Sequence, residues 1–477
     1  MPPCPPGLPL LGNVLQVPNR SWLQFEQWKT MYGPIFSLNM AGQSVIVLNT
    51  HKVAEDLLDR RSNIYSDRPR FIMACEILTG NCLMTFIPYG DLWRRLRRAA
   101  HADFNFRVVD KFQPIQAKEA ASLVLDMLND PDSWMEHLKR STASCVLSSV
   151  YGWQRLGKDD PVVAKIHAHI SRLGSSVLPG AYLVELFPFM KKFPSWIAKW
   201  KREGEGWHRK DTEMFEGFIN GVSEKIVSSP LLVPRYDMSL IELTKATGRG
   251  GSSSSTFVES LIENQAKYGL TKKQTAWLAG TMFGAGAETT AASMIVFILA
   301  MTLYPSVMRK AQAEIDAVVG RDRVPNFRDE PSLPYIRAIV KETLRWRPVG
   351  PLGVPRRTSA EDWYEGYYIP KGAMILPNIW AMNRDPTIFP DFDEFRPERF
   401  LDPSGTIGVT PPETHSMGHV TYGFGRRICA GYNFANKEMF IDIAMLLWAL
   451  NIEKAVDIHG EEIIPDRNDI NEAGAVV

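Results

Sequence analysis

Cysteine is scarce in this chain: five residues in 477, namely Cys4, Cys75, Cys82, Cys145 and Cys429. Their number is odd, their spacing wide and no Cys-x-x-Cys pair occurs, which argues against a disulfide framework and against a structural zinc site. Burial is the ordinary fate of such isolated thiols, and only Cys429 stands in a context that resists it. Net charge is scarce as well. Against 54 lysines and arginines stand 53 aspartates and glutamates, a formal +1, so a nucleic-acid binder working through bulk positive charge is not expected. The N-terminus lacks the charged stretch and apolar run of a secretory signal. No strand followed by Gly-x-Gly-x-x-Gly is found, which leaves no flavin or nicotinamide fold within the chain. Internal repeats are missing too.

What is present is ordinary globular material. Hydrophobic residues make up 45% and charged residues 22%, enough for a large core and too apolar for extensive disorder. Length alone suggests two to four domains at roughly 100–200 residues each, or one large fold. Pro2, Pro3, Pro5, Pro6, Gly7 and Pro9, followed by Gly12-Asn13, favour a stiff extended segment over residues 1–18 that holds a fixed distance from something upstream. An ordinary solvated terminus is the alternative. Residues 35–48 alternate around Gly42 as a two-stranded hairpin. Helical periodicity dominates 52–320, broken by a Gly/Ser run at 248–255 that reads as a mobile loop and not a domain boundary. Short strands and loops fill 349–400, and a last helix is expected over 431–450. The fold class is mainly α with a minor β portion.

One long apolar run stands out, residues 276–304, whose only charged residue is Glu288. Its length is enough for a bilayer, for which about 20 apolar residues suffice. With Glu288, Thr289 and Thr290 at its middle, a buried helix with a functional polar centre fits better, because an ionisable group is costly in lipid.

The strongest local signal is Tyr422-Gly423-Phe424-Gly425-Arg426-Arg427-Ile428-Cys429-Ala430-Gly431. Glycines on both sides let backbone approach the sulfur and turn sharply. The helix that follows favours an anionic sulfur at its N-terminus, as does a nearby metal. Arg427 adds a planar, permanent charge suited to a carboxylate. Such a loop suits a thiolate ligand for haem iron, with an arginine for a haem propionate. A second signal is Ala285-Gly286-Ala287-Glu288-Thr289-Thr290, where the glycine allows local widening and the threonine hydroxyl redirects backbone hydrogen bonds and holds water. An acid beside a hydroxyl in a dry site makes a proton-delivery route. A third is Glu342 and Arg345, three apart on one helical face, followed by Phe395-Arg396-Pro397-Glu398-Arg399-Phe400.

These residues resemble the cytochrome P-450 family, whose cysteine loop reads Phe-x-x-Gly-x-Arg-x-Cys-x-Gly. Gly425, Arg427, Cys429 and Gly431 match at their offsets, while Tyr422 replaces the leading phenylalanine, a change beside the sulfur that bears on its hydrogen bonding and potential. The resemblance runs from the proline-rich start to about residue 450, with the flavour of fungal microsomal members, basidiomycete ones in particular. It implies the family fold, with haem between a long distal helix and a proximal cysteine loop, in a single catalytic domain over 19–477. It also implies haem b with Cys429 as the metal ligand. Trp93, Arg97, Arg356, Tyr422, Gly423, Arg427, Gly431 and Ala285 would contact that cofactor. Thr289 and Glu288 become the oxygen-activation pair, and Glu342, Arg345 and Arg399 a buried charge network supporting the cysteine loop. Met282, Phe283, Ala285, Val349, Gly350, Leu352 and Gly353 would line a substrate pocket, with helices around 165–200 as its lid.

The implied activity is monooxygenation: two electrons and O2 place one oxygen atom on an organic substrate and one in water. An apolar lining suggests a lipophilic or aromatic substrate. A haem-thiolate isomerase or dehydratase needing no external electrons is the alternative, against which Glu288 and Thr289 argue; a non-catalytic membrane or haem-binding protein is a third class. Electrons are expected from NADPH-cytochrome P-450 reductase, with cytochrome b5 as a further donor. Arg94, Arg95 and Arg98, with Arg426 and Arg427, are either solvated or a basic docking face for that donor. Microsomal relatives carry a membrane anchor ahead of the proline-rich hinge and continue past the position of Val477 into a final strand pair. The implied location is the cytosolic face of the endoplasmic reticulum membrane, and the expected state a monomer.

Overall fold

The computed structural model describes residues 1–157, 160–177, 180–228, 256–408, 410–411, 414 and 416–468. The expected Gly/Ser loop at 248–255 and the chain end at Val477 lie outside the described residues. In chain order the principal elements are α1 (Ser21–Tyr32), β1 (Ile35–Met40), β2 (Gln43–Leu48), α2 (Asp91–Phe104), α3 (Gln113–Asn129) and α4 (Trp134–Tyr151). Then come α5 (Pro161–Ser176), α6 (Lys199–Ser228), α7 (Lys272–Leu303), α8 (Pro305–Val318) and α9 (Pro334–Trp346). Four short strands follow, β3 (Arg356–Arg357), β4 (Asp362–Tyr364), β5 (Tyr367–Ile369) and β6 (Met374–Pro377), before α10 (Tyr432–Ala449). Helices predominate among the described residues, the mainly α class with a small β part that the sequence suggested.

Local chemistry accounts for several boundaries. Pro161 and Pro334 occupy first-turn positions of α5 and α9, where a missing N–H costs nothing. The Asp160 side chain accepts a hydrogen bond from Val162 N at 2.9 Å and caps α5. Gly152, in the left-handed conformation, ends α4. In α2 the apolar face of Trp93, Leu96, Ala100 and Phe104 is buried while Arg94 and Arg98 are exposed, the amphipathic pattern of a helix lying on a core.

Contacts divide the chain into two compact units. The first comprises residues 1–69, 289–432 and 439–477 and holds all six strands found among the described residues. Its larger sheet has the order β1-β2-β6-β3. The expected hairpin pairs Ile35 with Leu48 and Met40 with Gln43. Strand β6 then lies parallel to β2 and antiparallel to β3, where Arg356 faces Ile375. Ile35, Ile46, Leu48, Leu57, Tyr65, Ile375 and Phe424 form one buried cluster beneath this sheet. The proline-rich start is strapped to the sheet: Ser37 N donates to Pro3 O at 2.7 Å and its hydroxyl to Pro2 O at 2.8 Å.

The second unit comprises residues 70–288 and 433–438. Helices α3 and α4 share a buried ionic layer in which Arg140 meets Asp126 at 2.9 Å and Glu119 at 3.4 Å. Phe104, Phe112 and Phe434 form an aromatic cluster with centroids 5.5–5.8 Å apart. Within this unit Trp277 and Phe283 of α7 are fully buried, and in the first unit so are Met294, Phe297 and Ala300. The apolar run is thus a core helix, as its polar middle suggested. It begins four residues before the expected 276 and ends at Leu303.

One expectation is corrected. Cys75, Cys82 and Cys145 are buried, but Cys4 is exposed, because it sits in the strapped terminal segment outside the core. Helix α7 stays α-helical through 285–290, where Gly286 would allow widening, whereas π-helical geometry occurs at Glu55–Arg60 and Ile72–Leu78. Hydroxyls meet the carbonyls here without breaking the ladder: Thr142 Oγ1 donates to Ala287 O and Ser293 Oγ to Thr289 O, each at 2.9 Å.

Candidate functional site

In the first unit the segment 422–431 forms a tight loop leading into α10. Cys429 N donates to Tyr422 O at 2.9 Å and Ile428 N to Gly425 O at 3.1 Å, closing the loop around an exposed thiol. Gly425 is required by its backbone. Its φ is +51°, and a Cβ added there would stand 2.1 Å from Leu58 O. Its N–H is held by the Asp59 carboxylate. Gly423 has a positive φ of +77°, and Gly431 is the N-cap residue of α10, which puts Cys429 just ahead of a helix N-terminus. The Tyr422 ring lies 5.5 Å from His419 and 5.9 Å from Tyr432. Burial drives the His419 pKa down to about 3, with Lys341 and Arg345 adding repulsion, so this imidazole is neutral. Its Nδ1 accepts from Thr421 N at 3.3 Å.

Beside the loop stand three guanidinium groups. Arg356, buried on β3, donates through Nη2 to Phe424 O at 2.6 Å, while its buried Nη1 has no hydrogen-bond partner among the described residues. Arg427 donates to Ser66 O at 2.9 Å. Arg68, buried, donates to Val354 O at 2.6 Å and Pro355 O at 2.7 Å. Burial, then the charges of Arg427 and Arg356, hold the Arg68 pKa well below its usual value, and burial pushes that of Arg356 down to about 10. A buried cation with an unpartnered donor is costly unless an anion completes it. An exposed thiol next to this cluster fits a group that brings both a metal and carboxylates, which is the composition of haem. Arg68 had no sequence signal, since an arginine between Asp67 and Pro69 carries no motif.

Behind the loop lies the charge network. Glu342 and Arg345, both fully buried on α9, make a bidentate pair at 2.6 and 2.8 Å. Arg399 Nε reaches Glu342 Oε1 at 3.1 Å, and Arg396 N donates to the same oxygen at 2.8 Å. Arg345 further donates to Asn383 O at 2.8 Å and Phe392 O at 3.0 Å. Buried Asn383 carries the connection onward. Its Nδ2 donates to Thr421 Oγ1 at 2.9 Å, its Oδ1 accepts from Val420 N at 3.0 Å, and Thr421 Oγ1 donates to Leu344 O at 2.7 Å. Sequence reasoning found the three charged members but missed Asn383 and Thr421. An asparagine opening the polar run Asn383-Arg384-Asp385 after the apolar Trp380-Ala381-Met382 was the available hint.

On α7, Ala285 and Thr289 are exposed one turn apart on an otherwise largely buried helix. In the second unit Glu288 is paired with His167 Nδ1 of α5, a partner with no sequence signal. Trp93 is buried against Tyr89, centroids 5.1 Å apart, and Arg97 is half-buried one turn on. In the neighbouring arginine group Arg94 and Arg98 are exposed, whereas Arg95 is bound by Asp91 at 2.8 Å. Met282 is buried, and Val349, Gly350 and Gly353 are half-buried or exposed. Two expected pocket residues have contacts within the core. Phe283 is fully buried with its ring 6.4 Å from Tyr151 and 6.5 Å from Phe218, because its face of α7 turns toward α4 and α6. Leu352 packs against the clusters containing Trp22, Trp380 and Phe25.

The chain matches the family model for cytochrome P-450 over residues 2–462. Cytochrome P-450 monooxygenase 58 of Postia placenta is 57% identical over 477 residues, spanning 100% of this chain and 86% of that protein. A cytochrome P-450 monooxygenase of Armillaria gallica is 46% identical, spanning 100% of this chain and 87% of its own length. The monooxygenase iboC of Amanita muscaria is 35% identical, with 100% and 89% covered.

Proposed function

Since the chain belongs to the cytochrome P-450 family, whose members are oxidoreductases that hold haem through a cysteine thiolate, we propose that it binds haem b and that Cys429 would supply the thiolate that holds it. We propose further that it oxygenates a small lipophilic or aromatic substrate. The observation that carries this reading is the exposed Cys429 beside buried Arg356, whose Nη1 lacks a partner among the described residues. Arg356 and Arg427 would meet haem carboxylates, with Arg68 adding to the field. The family resemblance gives Trp93 and Arg97 the same role and sets Tyr422, Gly423, Gly431 and Ala285 against the cofactor.

Haem, when bound, supplies the reductive activation of O2, with the thiolate favouring O–O cleavage. The overall balance is substrate, O2, two electrons and two protons to oxygenated substrate and water. The chain's own residues do the rest. The N-terminal end of α10 and the neighbouring arginines favour the deprotonated sulfur of Cys429. The Glu342–Arg345–Arg399 network and Asn383 fix the backbone that carries it. Thr289 and Glu288 would hold and pass the protons that reduction of O2 requires, a requirement an isomerase would not have. Met282, Ala285 and the 349–353 turn would orient substrate.

The chain carries no Gly-x-Gly-x-x-Gly dinucleotide motif, which supports delivery of electrons by a separate donor. By family resemblance this is NADPH-cytochrome P-450 reductase, with cytochrome b5 as a second donor, at the endoplasmic reticulum membrane. Exposed Arg94 and Arg98, and on the first unit Arg426, suit an acidic donor surface. The test is a reduced, carbon-monoxide difference spectrum of wild type and Cys429→Ser. A thiolate-type Soret band in wild type, lost in the variant, is expected; an imidazole-type band in wild type would overturn the ligand assignment.

A further inference from the structure

Where α5 crosses α7, a side chain at Gly284 would have to displace the ends of two isoleucines. A Cβ there would lie 2.7 Å from Ile170 Cδ1 and 3.3 Å from Ile166 Cδ1. On the other side a Cβ at Gly286 would meet Val146 Cγ2 at 2.9 Å, and Thr142 Oγ1 bonds Ala287 O. The stretch 284–288 is therefore clamped between α4 and α5. Glu288 lies one turn beyond Gly284 and His167 one residue beyond Ile166, so the close crossing that glycine permits brings the two side chains together. His167 Nδ1 and Glu288 Oε1 are in contact, and that buried oxygen has no hydrogen-bond partner among the described residues; the imidazole is 34% and the carboxylate 27% exposed. The neighbouring His169 is committed elsewhere, to Asp211 at 2.8 Å.

We propose that His167 is a positioning residue for proton delivery: its Nδ1 fixes the Glu288 carboxylate in the orientation from which it passes protons. The assignment rests on the proton-delivery reading of Glu288. A free glutamate on a helix samples several rotamers, and a general acid is effective only when its proton lies within hydrogen-bond reach of its target. The half-exposed imidazole also gives Glu288 a contact on the solvent side, from which protons are replaced.

The test needs no organic substrate. Haem-loaded protein with reductase and NADPH disposes of electrons as peroxide, O2 taking two electrons and two protons, or as water, O2 taking four of each. Proton supply sets the ratio. E288Q, H167F and the double variant are compared with H167N, whose amide nitrogen stands where the imidazole Nδ1 stands. E288Q and H167F are each expected to lower the water-to-peroxide ratio by roughly tenfold, a modest part of what positioned acids contribute. The double variant should be no worse than E288Q, and H167N should stay within about twofold of wild type. An unchanged ratio in E288Q overturns the role of Glu288 and that of His167 with it. A fall in E288Q without one in H167F, additive losses in the double variant, or H167N as poor as H167F overturns His167 alone. Melting temperature gives a readout independent of turnover: the loss from H167F should shrink in the E288Q background, and equal losses in both backgrounds refute the pairing.

Discussion

Arg345 Nη1 lies 2.8 Å from the carbonyl oxygen of Asn383, and this contact joins a buried ion pair to the backbone that carries Cys429. The chain of bonds runs from Glu342 through Arg345 and Asn383 to Val420 and Thr421, at the entrance of the cysteine loop. Three of the five are backbone or neutral side-chain groups, so charge supplies the anchor and amide geometry transmits it.

Removing one charge from the anchor is expected to be severe. Glu342→Gln leaves Arg345 and Arg399 without their carboxylate at sites where Arg345 is fully buried. A loss of about 3–5 kcal/mol follows from the uncompensated buried charge. Urea denaturation of haem-loaded protein measures it, and a loss below about 1 kcal/mol contradicts a buried network.

Asn383→Ala separates transmission from anchoring. It leaves the ion pair whole but strips Val420 N and Thr421 Oγ1 of a partner. The expected cost is smaller, about 1–3 kcal/mol for buried groups left unsatisfied. The larger effect should appear at the sulfur, as conversion of the thiolate-type carbon-monoxide band to the neutral-thiol type on standing. A stable thiolate band places the loop's rigidity elsewhere.

The two halves of this relay differ in how legible they are in sequence. Glu342 and Arg345 sit at helical spacing, and Arg399 lies in a recognisable run, so composition and period suffice. Asn383, Thr421 and Arg68 act through backbone carbonyls and amides, which any residue type supplies, and only the fold brings these groups together. His167 is hidden for a different reason: its partner is chosen by a helix crossing at Gly284, a long-range event. Phe283 and Leu352 show a third limit: an apolar residue near a pocket and one in the adjacent core look alike in sequence. Their sides are decided by which neighbouring helix or loop they face.

Acid sensitivity should trace in part to His419. Its pKa is pushed down to about 3 in the folded protein, against about 6.5 when unfolded. Between these values the unfolded chain binds the extra proton, so stability falls as pH drops through that window, by up to about 1.4 kcal/mol per unit. Above about pH 6.5 the group contributes no pH dependence. Melting temperature against pH should therefore be flatter for His419→Gln than for wild type from pH 6.5 downward. Parallel curves refute the assignment.

Thr289→Ala tests the proton route from its other end. The residue is exposed on α7 and its carbonyl is already met by Ser293 Oγ, so the fold should be undisturbed and haem retained. Electrons should divert to peroxide by about tenfold or more, the lower range of general acid catalysis. Unchanged peroxide per NADPH consumed removes Thr289 from the mechanism.

Arg356 offers a prediction with opposite signs in the two states of the protein. Without a ligand its guanidinium is a buried charge with an unpartnered Nη1, among the described residues, and its pKa is depressed by burial. Replacing such a charge with an apolar side chain of similar length is neutral or stabilising, by up to about 1–4 kcal/mol. Against this stands the bond to Phe424 O, worth about 1 kcal/mol net. Arg356→Met should therefore melt no lower than wild type in the haem-free state. A carboxylate arriving with the cofactor reverses the balance, because only the arginine can form a charge-assisted hydrogen bond with it. Haem should then leave the variant faster, measured by transfer to a heme-scavenging globin, and the melting advantage should vanish on loading. If the variant is destabilised equally with and without haem, Arg356 is a structural brace for Phe424 and not a propionate partner.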